Sequence, residues 1–261
     1  MLDGGLGKLQ KKMRGRLGDM LTPEDAFLSY YDVRLTREDM QNLKNDWLND
    51  NLISFWQEYL EHEFLAKYKT SNIVLLRPSM SFMLAQTRDP RTLRDALPDF
   101  SRATHVFLPI NDCRNVTQAE GGTHWSLLLI SVVDRIAFHY DSLYQGNHWE
   151  ANDVTNKFSM LLNIPIRFLH LQDSPQQDGG SDCGVFVCLN MRHLLLKRLL
   201  MASAHEKVSM SLGGRRVDAS AGRKEMTKII EGFRKEGERR RSTSMSRSPM
   251  GKKSRSPPRI E

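Results

Sequence analysis

Ser174–Met201 reads SPQQDGGSDCGVFVCLNMRHLLLKRLLM, and it joins a loop, a cysteine and a buried helix without a gap. Gln176-Gln177-Asp178-Gly179-Gly180 offers nothing apolar to bury and ends in two glycines, so it reads as a loop. Val185, Phe186, Leu189, His193, Leu194, Leu196, Leu199 and Leu200 then recur at helical spacing, which predicts a helix starting at Asp182 or Cys183. Cys183 thereby falls at a helix N-terminus. The unpaired N–H groups and the helix dipole at such an end stabilise a thiolate over a thiol, and the thiolate is the nucleophile. Gln177, six residues earlier, can aim a side-chain amide into the same space. It would be one donor of an oxyanion hole whose other donor is the Cys183 backbone N–H. The competing reading makes Cys183 a small buried hydrophobe, the role assigned to Cys188 on the same helix. This stretch alone leaves both open.

A cysteine nucleophile needs a base. His124 begins a strand in Gly121-Gly122-Thr123-His124-Trp125-Ser126, after two glycines that let backbone approach closely. Asp141 follows 17 positions later, in His139-Tyr140-Asp141-Ser142, at the end of what reads as the partner strand of a hairpin. One strand, a tight turn at Asp134-Arg135 and a second strand fill that interval, so the two side chains can lie together at one edge of a sheet. In Cys-His-Asp logic His124 takes the thiol proton and later protonates the leaving amine, while Asp141 fixes its tautomer. Alone, a histidine at a strand start is ordinarily a surface or core residue. The order His, Asp, Gln, Cys is what favours chemistry.

The rest of the chain bounds this reading. With 261 residues, 39% of them hydrophobic, it can bury a substantial core. Three cysteines without CxxC spacing argue against a disulfide framework and a zinc site, and for a reducing compartment. No apolar run reaches ~18 residues and no secretory signal is expected. Residues 239–261 carry eight Lys/Arg and one Glu, which accounts for the whole net charge of +7 and leaves 30 basic and 30 acidic residues before them. The expected organisation is a flexible arm over 1–24, a catalytic domain over 25–238 and a disordered basic Arg/Ser/Pro tail over 239–261.

Within the domain, Val33 and Leu35 suggest a short strand, and Thr36-Arg37-Glu38-Asp39 the opening of a helix. A firmer amphipathic helix carries Leu52, Ile53, Phe55, Trp56, Tyr59, Leu60, Phe64 and Leu65, capped by Asn49 or Asp50. Pro78 opens another helix, and 86–101 reads as a surface excursion. Strands are predicted over 105–110, 125–133, 136–140 and 166–171, with a helix over 150–162 between the last two. Met226, Ile229, Ile230 and Phe233 mark a closing helix.

GGTHWSLL (121–128), HYDSL (139–143) and QQDGGSDCGVFV (176–187) resemble the catalytic segments of the ubiquitin-like-protein proteases, the papain-like family of SUMO proteases and deneddylases. The resemblance covers roughly residues 25–236, and His124, Asp141, Gln177 and Cys183 match its catalytic positions. It implies an α+β fold with a central mixed β-sheet flanked by helices, hydrolysis after the C-terminal Gly-Gly of a modifier, and no cofactor or metal. WLNDNLISFWQEYL (47–60) resembles the helix that helps bind the modifier's tail. By that match Trp47 and Trp125 wall a tunnel in which only glycine fits, and Asp50 meets a basic residue of the tail. Without it, the tryptophans are core aromatics and Asp50 an N-cap. VFLPINDCRNVTQAEGGTHWSLL (106–128) looks more like the deneddylase form, since SUMO proteases usually have Val rather than Thr before the His, and Asn111 is by position a further contact for the tail. The implied partners are the modifier of the neddylation pathway and its conjugates, such as neddylated cullins, acted on by a monomer in cytoplasm and nucleus. A SUMO protease is the runner-up, ahead of an inert modifier-binding protein or an RNA-associated one. No membrane or nucleic-acid partner is expected, because the basic tail lacks aromatics to stack on bases. Ser248-Pro249 and Ser256-Pro257 read as phosphorylation sites, and 239–241 with Lys252-Lys253 as a nuclear import signal.

Overall fold

Strands β3 (Ile73–Leu75), β4 (His105–Asn111), β5 (Trp125–Ser131), β6 (Ile136–Tyr140) and β7 (Arg167–His170) form a five-stranded sheet in that order. β5 runs antiparallel to both β4 and β6, while β3 and β7 add parallel edges, so the sheet is mixed. The computed structural model describes residues 25–115, 121–201, 208–245 and 257–261. The arm expected over 1–24 and the Ser248 and Ser256 sites lie outside the described residues. No helix among the described residues is long and apolar enough to cross a membrane.

All seven residues of β5 are buried because its two faces serve two cores. Leu127 and Leu129 point into a cluster built with α2 (Asp50–Glu63) and α5 (Cys183–His193). Leu128 and Ile130 point the other way, towards Leu84 of α3 (Pro78–Gln86) and Val154 and Phe158 of α4 (His148–Leu162). The architecture is α+β with helices on both faces of a mixed sheet, as the motifs implied.

Local chemistry sets the element ends. Thr36 and Asp39 form a reciprocal capping box that opens α1 (Arg37–Asn45). Asn49, not Asp50, caps α2, its Oδ1 accepting from the Leu52 N–H at 3.2 Å. The β5–β6 turn closes two residues earlier than the alternation suggested. Ser131 Oγ accepts from the Asp134 N–H, and Arg135 takes a left-handed φ of 55°. The surface excursion over 86–101 is partly anchored, since Leu97 and Phe100 are buried under it.

Two expectations for the tail fail, each for a physical reason. The boundary at 238 falls inside α6 (Ala219–Met245), where the ion pairs Arg234–Glu238 at 3.2 Å and Glu236–Arg240 at 2.9 Å support a helix across it. The far end is not free either. β8 (Arg259–Ile260) pairs in parallel with β1 (Ala26–Tyr30), which pairs antiparallel with β2 (Val33–Thr36). The Ser29 N–H donates to the Pro258 carbonyl at 2.9 Å and the Tyr31 N–H to the Ile260 carbonyl at 2.8 Å, while the Ile260 side chain is buried in the main core. The anchor is the open edge of another strand, which the composition of the tail cannot reveal.

The pairs Asn111↔Trp125, Leu127↔Tyr140 and His139↔His170 bring the C-terminal ends of β4, β6 and β7 and the N-terminal end of β5 to one end of the sheet. The loop after β7 leads from there to Cys183 at the first turn of α5.

Candidate active site

His124 immediately precedes β5 and Asp141 immediately follows β6, so the hairpin register sets their side chains together. His124 Nε2 and Asp141 Oδ1 lie 2.6 Å apart, both residues buried. The carboxylate also accepts the Leu143 N–H at 3.0 Å and the Asn147 N–H at 2.7 Å. Burial alone would raise the Asp141 pKa, but these bonds and the His124 charge outweigh it and hold the carboxyl below its ordinary range. The other ring nitrogen, His124 Nδ1, is buried with no hydrogen-bond partner and is the one left for the thiol of Cys183. Burial disfavours the charged ring, yet the hydrogen bond to Asp141, the nearby Cys183 thiol and the charges of both push His124 up to about 9. Such a ring favours the imidazolium of a thiolate–imidazolium pair.

Several positioning groups carried no sequence signal that singled them out. Asn147 is fully buried, and its Nδ2 donates to the Ile110 carbonyl at 3.1 Å and the His124 carbonyl at 3.2 Å. One residue thus ties β4, His124 and Asp141 together. Asp112 accepts the N–H groups of Thr123 at 2.6 Å and His124 at 3.0 Å, orienting the approach to β5. Gly146 lies so close to the imidazole that a Cβ on it would sit 2.8 Å from His124 Cδ2. Beneath Asp141, His139 has no exposed surface and bonds Ser126 Oγ at 2.9 Å and His170 Nδ1 at 3.0 Å. Burial pushes it down to about 3, so it is neutral and sets no second charge beside Asp141.

Cys183 is the first residue of α5 and is only 1% exposed. Gly184 lets the helix end approach the chain before α2, since a Cβ there would lie 2.7 Å from Leu48 Cβ. The other two cysteines stand apart. Cys188 is fully buried and its thiol is pushed well above its ordinary range by that burial, while Cys113 lies beyond the end of β4. All three are free. Gln177 is fixed at both ends of its amide. Oε1 accepts from Ser142 Oγ at 2.6 Å, and Nε2 gives one of its two hydrogens to the Gly179 carbonyl at 2.7 Å.

Trp47, Asp50, Asn111 and Trp125, the four residues assigned to the modifier's tail, line one groove of about 250 Å³ together with His124. The two tryptophans differ. Trp125 is a core aromatic as well as a wall, its Nε1 donating to the Leu48 carbonyl at 3.0 Å. Trp47 is 43% exposed, which core packing does not explain. Asn111 also shapes the groove's floor, its Oδ1 accepting the Cys113 N–H at 2.8 Å. Gly122, with φ +86°, passes over it where any Cβ would collide.

The family model for the C-terminal catalytic domain of Ulp1 proteases matches residues 46–210, from Asp46 past the Cys183 helix. This chain belongs to the Ulp1 protease family. NEDD8-specific protease 2 of Schizosaccharomyces pombe is 36% identical over 209 residues, which cover 78% of this chain and 50% of that one. NEDD8-specific protease 1 of Arabidopsis thaliana is 34% identical over 173 residues, covering 65% of this chain and 75% of that one. This Ulp1-family chain spans about half the length of the S. pombe relatives it matches. Among solved structures, the C-terminal Ulp1 protease domain in complex with Smt3, the yeast ortholog of SUMO, superposes with a TM-score of 0.57 over 85% of this chain and 93% of that one. At 20% identity that likeness is one of fold. The Ulp1-family match leaves α1, α6 and β8 outside its span.

Proposed function

We propose that this chain is a thiol protease that cuts after the C-terminal Gly-Gly of a ubiquitin-like modifier, with the modifier of the neddylation pathway as its preferred substrate. The observation that carries the chemistry is the buried His124–Asp141 pair whose remaining ring nitrogen is left for a cysteine at a helix N-terminus. Cys183 passes its proton to His124, and the thiolate attacks the carbonyl carbon of the second glycine. The oxyanion is held by the first N–H groups of α5 and the second amide hydrogen of Gln177. His124 returns the proton to the leaving amine as the C–N bond breaks, leaving a thioester. Water, deprotonated by His124, then cleaves the thioester and frees the modifier's carboxylate and the thiol.

Trp47 and Trp125 both line the groove, and by the family match a tail threaded between them would have to be Gly-Gly. Asp50 and Asn111 are assigned to the residue just upstream, where modifiers differ. The relatives named NEDD8-specific, at 36% and 34% identity, favour this modifier over SUMO. Conjugates such as neddylated cullins are the proposed targets of a monomer working in cytoplasm and nucleus. The test is kcat/KM on the three modifiers fused to one fluorophore. The neddylation modifier should be cleaved fastest, with part of the preference lost in Asp50→Ala or Asn111→Ala. SUMO as the best substrate would overturn the assignment in favour of a SUMO protease.

A further inference from the structure

Arg223 lies on α6, outside the span matched by the family model, yet it reaches the residues directly before the nucleophile. Its side chain is nearly buried, and its guanidinium makes five hydrogen bonds. Nε and Nη2 both donate to Asp182 Oδ1, at 3.1 and 2.9 Å, and Nη2 donates to the Ser181 carbonyl at 2.7 Å. Nη1 donates to the carbonyls of Asn42 and Leu43 at the end of α1, at 3.2 and 3.0 Å. α6 rests directly on α5, since a Cβ on Gly222 would come within 2.7 Å of Leu189 Cδ1.

Asp182 is the N-cap residue of α5. A carboxylate at that position ordinarily turns onto the N–H of the second or third helical residue. Asp182 makes no such bond. Its Oδ1 is taken by Arg223, and its Oδ2 lies over Gly179, where a Cβ would be 2.6 Å away. If it did cap its own helix, the carboxylate would take up N–H groups of the first turn and set a negative charge against the thiolate and the oxyanion. On the sheet side the thiol faces His124, held by Asp141; on the helix side the neighbouring charged groups are Asp182 and Arg223.

We propose that Arg223 is a positioning residue for the nucleophile, drawing the Asp182 carboxylate off the N-terminus of α5 so that its N–H groups and dipole stay available to the thiolate and the oxyanion. This rests on Cys183 being the nucleophile. It assigns α6 a part in the reaction, beyond that of a lid on the core.

The test compares Arg223→Ala with Arg223→Ala/Asp182→Ala in the full chain. The readouts are kcat and KM on a modifier–fluorophore fusion and the pH midpoint of iodoacetamide alkylation at the Cys183 peptide. Arg223→Ala should lower kcat roughly 10-fold with KM little changed, and move the alkylation midpoint up by about one pH unit. The double variant should regain most of both, because no carboxylate is left to cap the helix. A double variant no better than Arg223→Ala overturns the proposal and makes Arg223 a structural clamp only. Should Arg223→Ala fail to fold, Arg223→Lys with and without Asp182→Ala carries the same comparison. If the wild type cleaves no modifier fusion, the proposed function fails, while the alkylation midpoints still decide the role of Arg223.

Discussion

Replacing Gly146 with alanine puts a methyl carbon 2.8 Å from His124 Cδ2, 2.9 Å from Nε2 and 3.3 Å from Asp141 Oδ2. Non-bonded carbons settle at ~3.5–4.0 Å, so the imidazole has to retreat by roughly 1 Å. Gly146 does not take the left-handed backbone that only glycine adopts easily. The strain therefore falls on the His124–Asp141 pair, not on the loop. A reacting group misplaced by about 1 Å typically costs ~10²-fold in rate, or about 2.7 kcal/mol of barrier. The assay is kcat/KM on a modifier–fluorophore fusion, with thermal unfolding as the control for folding. The expected result is a fall of about 10²-fold, mostly in kcat, in a protein that melts close to the wild type. A folded Gly146→Ala protein within about threefold of wild-type activity would refute the claim that this ring works where it now sits.

Gln177→Ala should lower kcat by about 10²-fold with little change in KM; unchanged turnover would leave Gln177 as the strut between Ser142 and Gly179. His124 is raised from 6.5 to about 9, so the folded protein favours its charged form. The stabilisation this brings is complete below 6.5 and lost as pH rises through about 9. The alkaline limb of kcat/KM should fall near the same pH and move to lower pH in Asp141→Asn, which weakens the hold on the imidazolium; an unmoved limb would show that some other group sets it. Ile260→Ala should cost ~2–4 kcal/mol in denaturant unfolding, since the side chain fills the main core. A stability change below about 0.5 kcal/mol would mean that β8 is not docked in solution.

What could be read in advance was whatever local pattern dictates. The start of α5 at Cys183, the Pro78 helix and the β5–β6 hairpin follow from spacing and turn residues within a single window. The fold class followed from three motifs, while the four groove residues came from the 47–60 segment (Trp47, Asp50), the His124 motif (Trp125) and the loop before it (Asn111). The Asn49 cap and the Trp47 wall were left open for a physical reason. Two neighbouring side chains, Asn49 and Asp50, both suit a cap, and an aromatic at 43% exposure looks in sequence like one that is buried. The contacts that could not be read all join distant segments. Arg223 to Asp182 spans 41 positions, Asn147 to Ile110 spans 37, and Tyr31 to Ile260 joins the two ends of the described chain. Each pairs a common polar or aliphatic residue with a backbone group or a single carboxylate, so no residue type marks it. The tail shows the same limit. Its basic, Pro-containing composition argues for a free chain, and the edge of β1 holds its last residues anyway.

The most direct test of the central claim is a modifier carrying an electrophile in place of its terminal carboxyl, followed by mass spectrometry of the adduct. The account predicts one covalent adduct at Cys183, formed fastest with the neddylation modifier, abolished in Cys183→Ala and retained in Cys113→Ala and Cys188→Ala. An adduct that survives Cys183→Ala would contradict it.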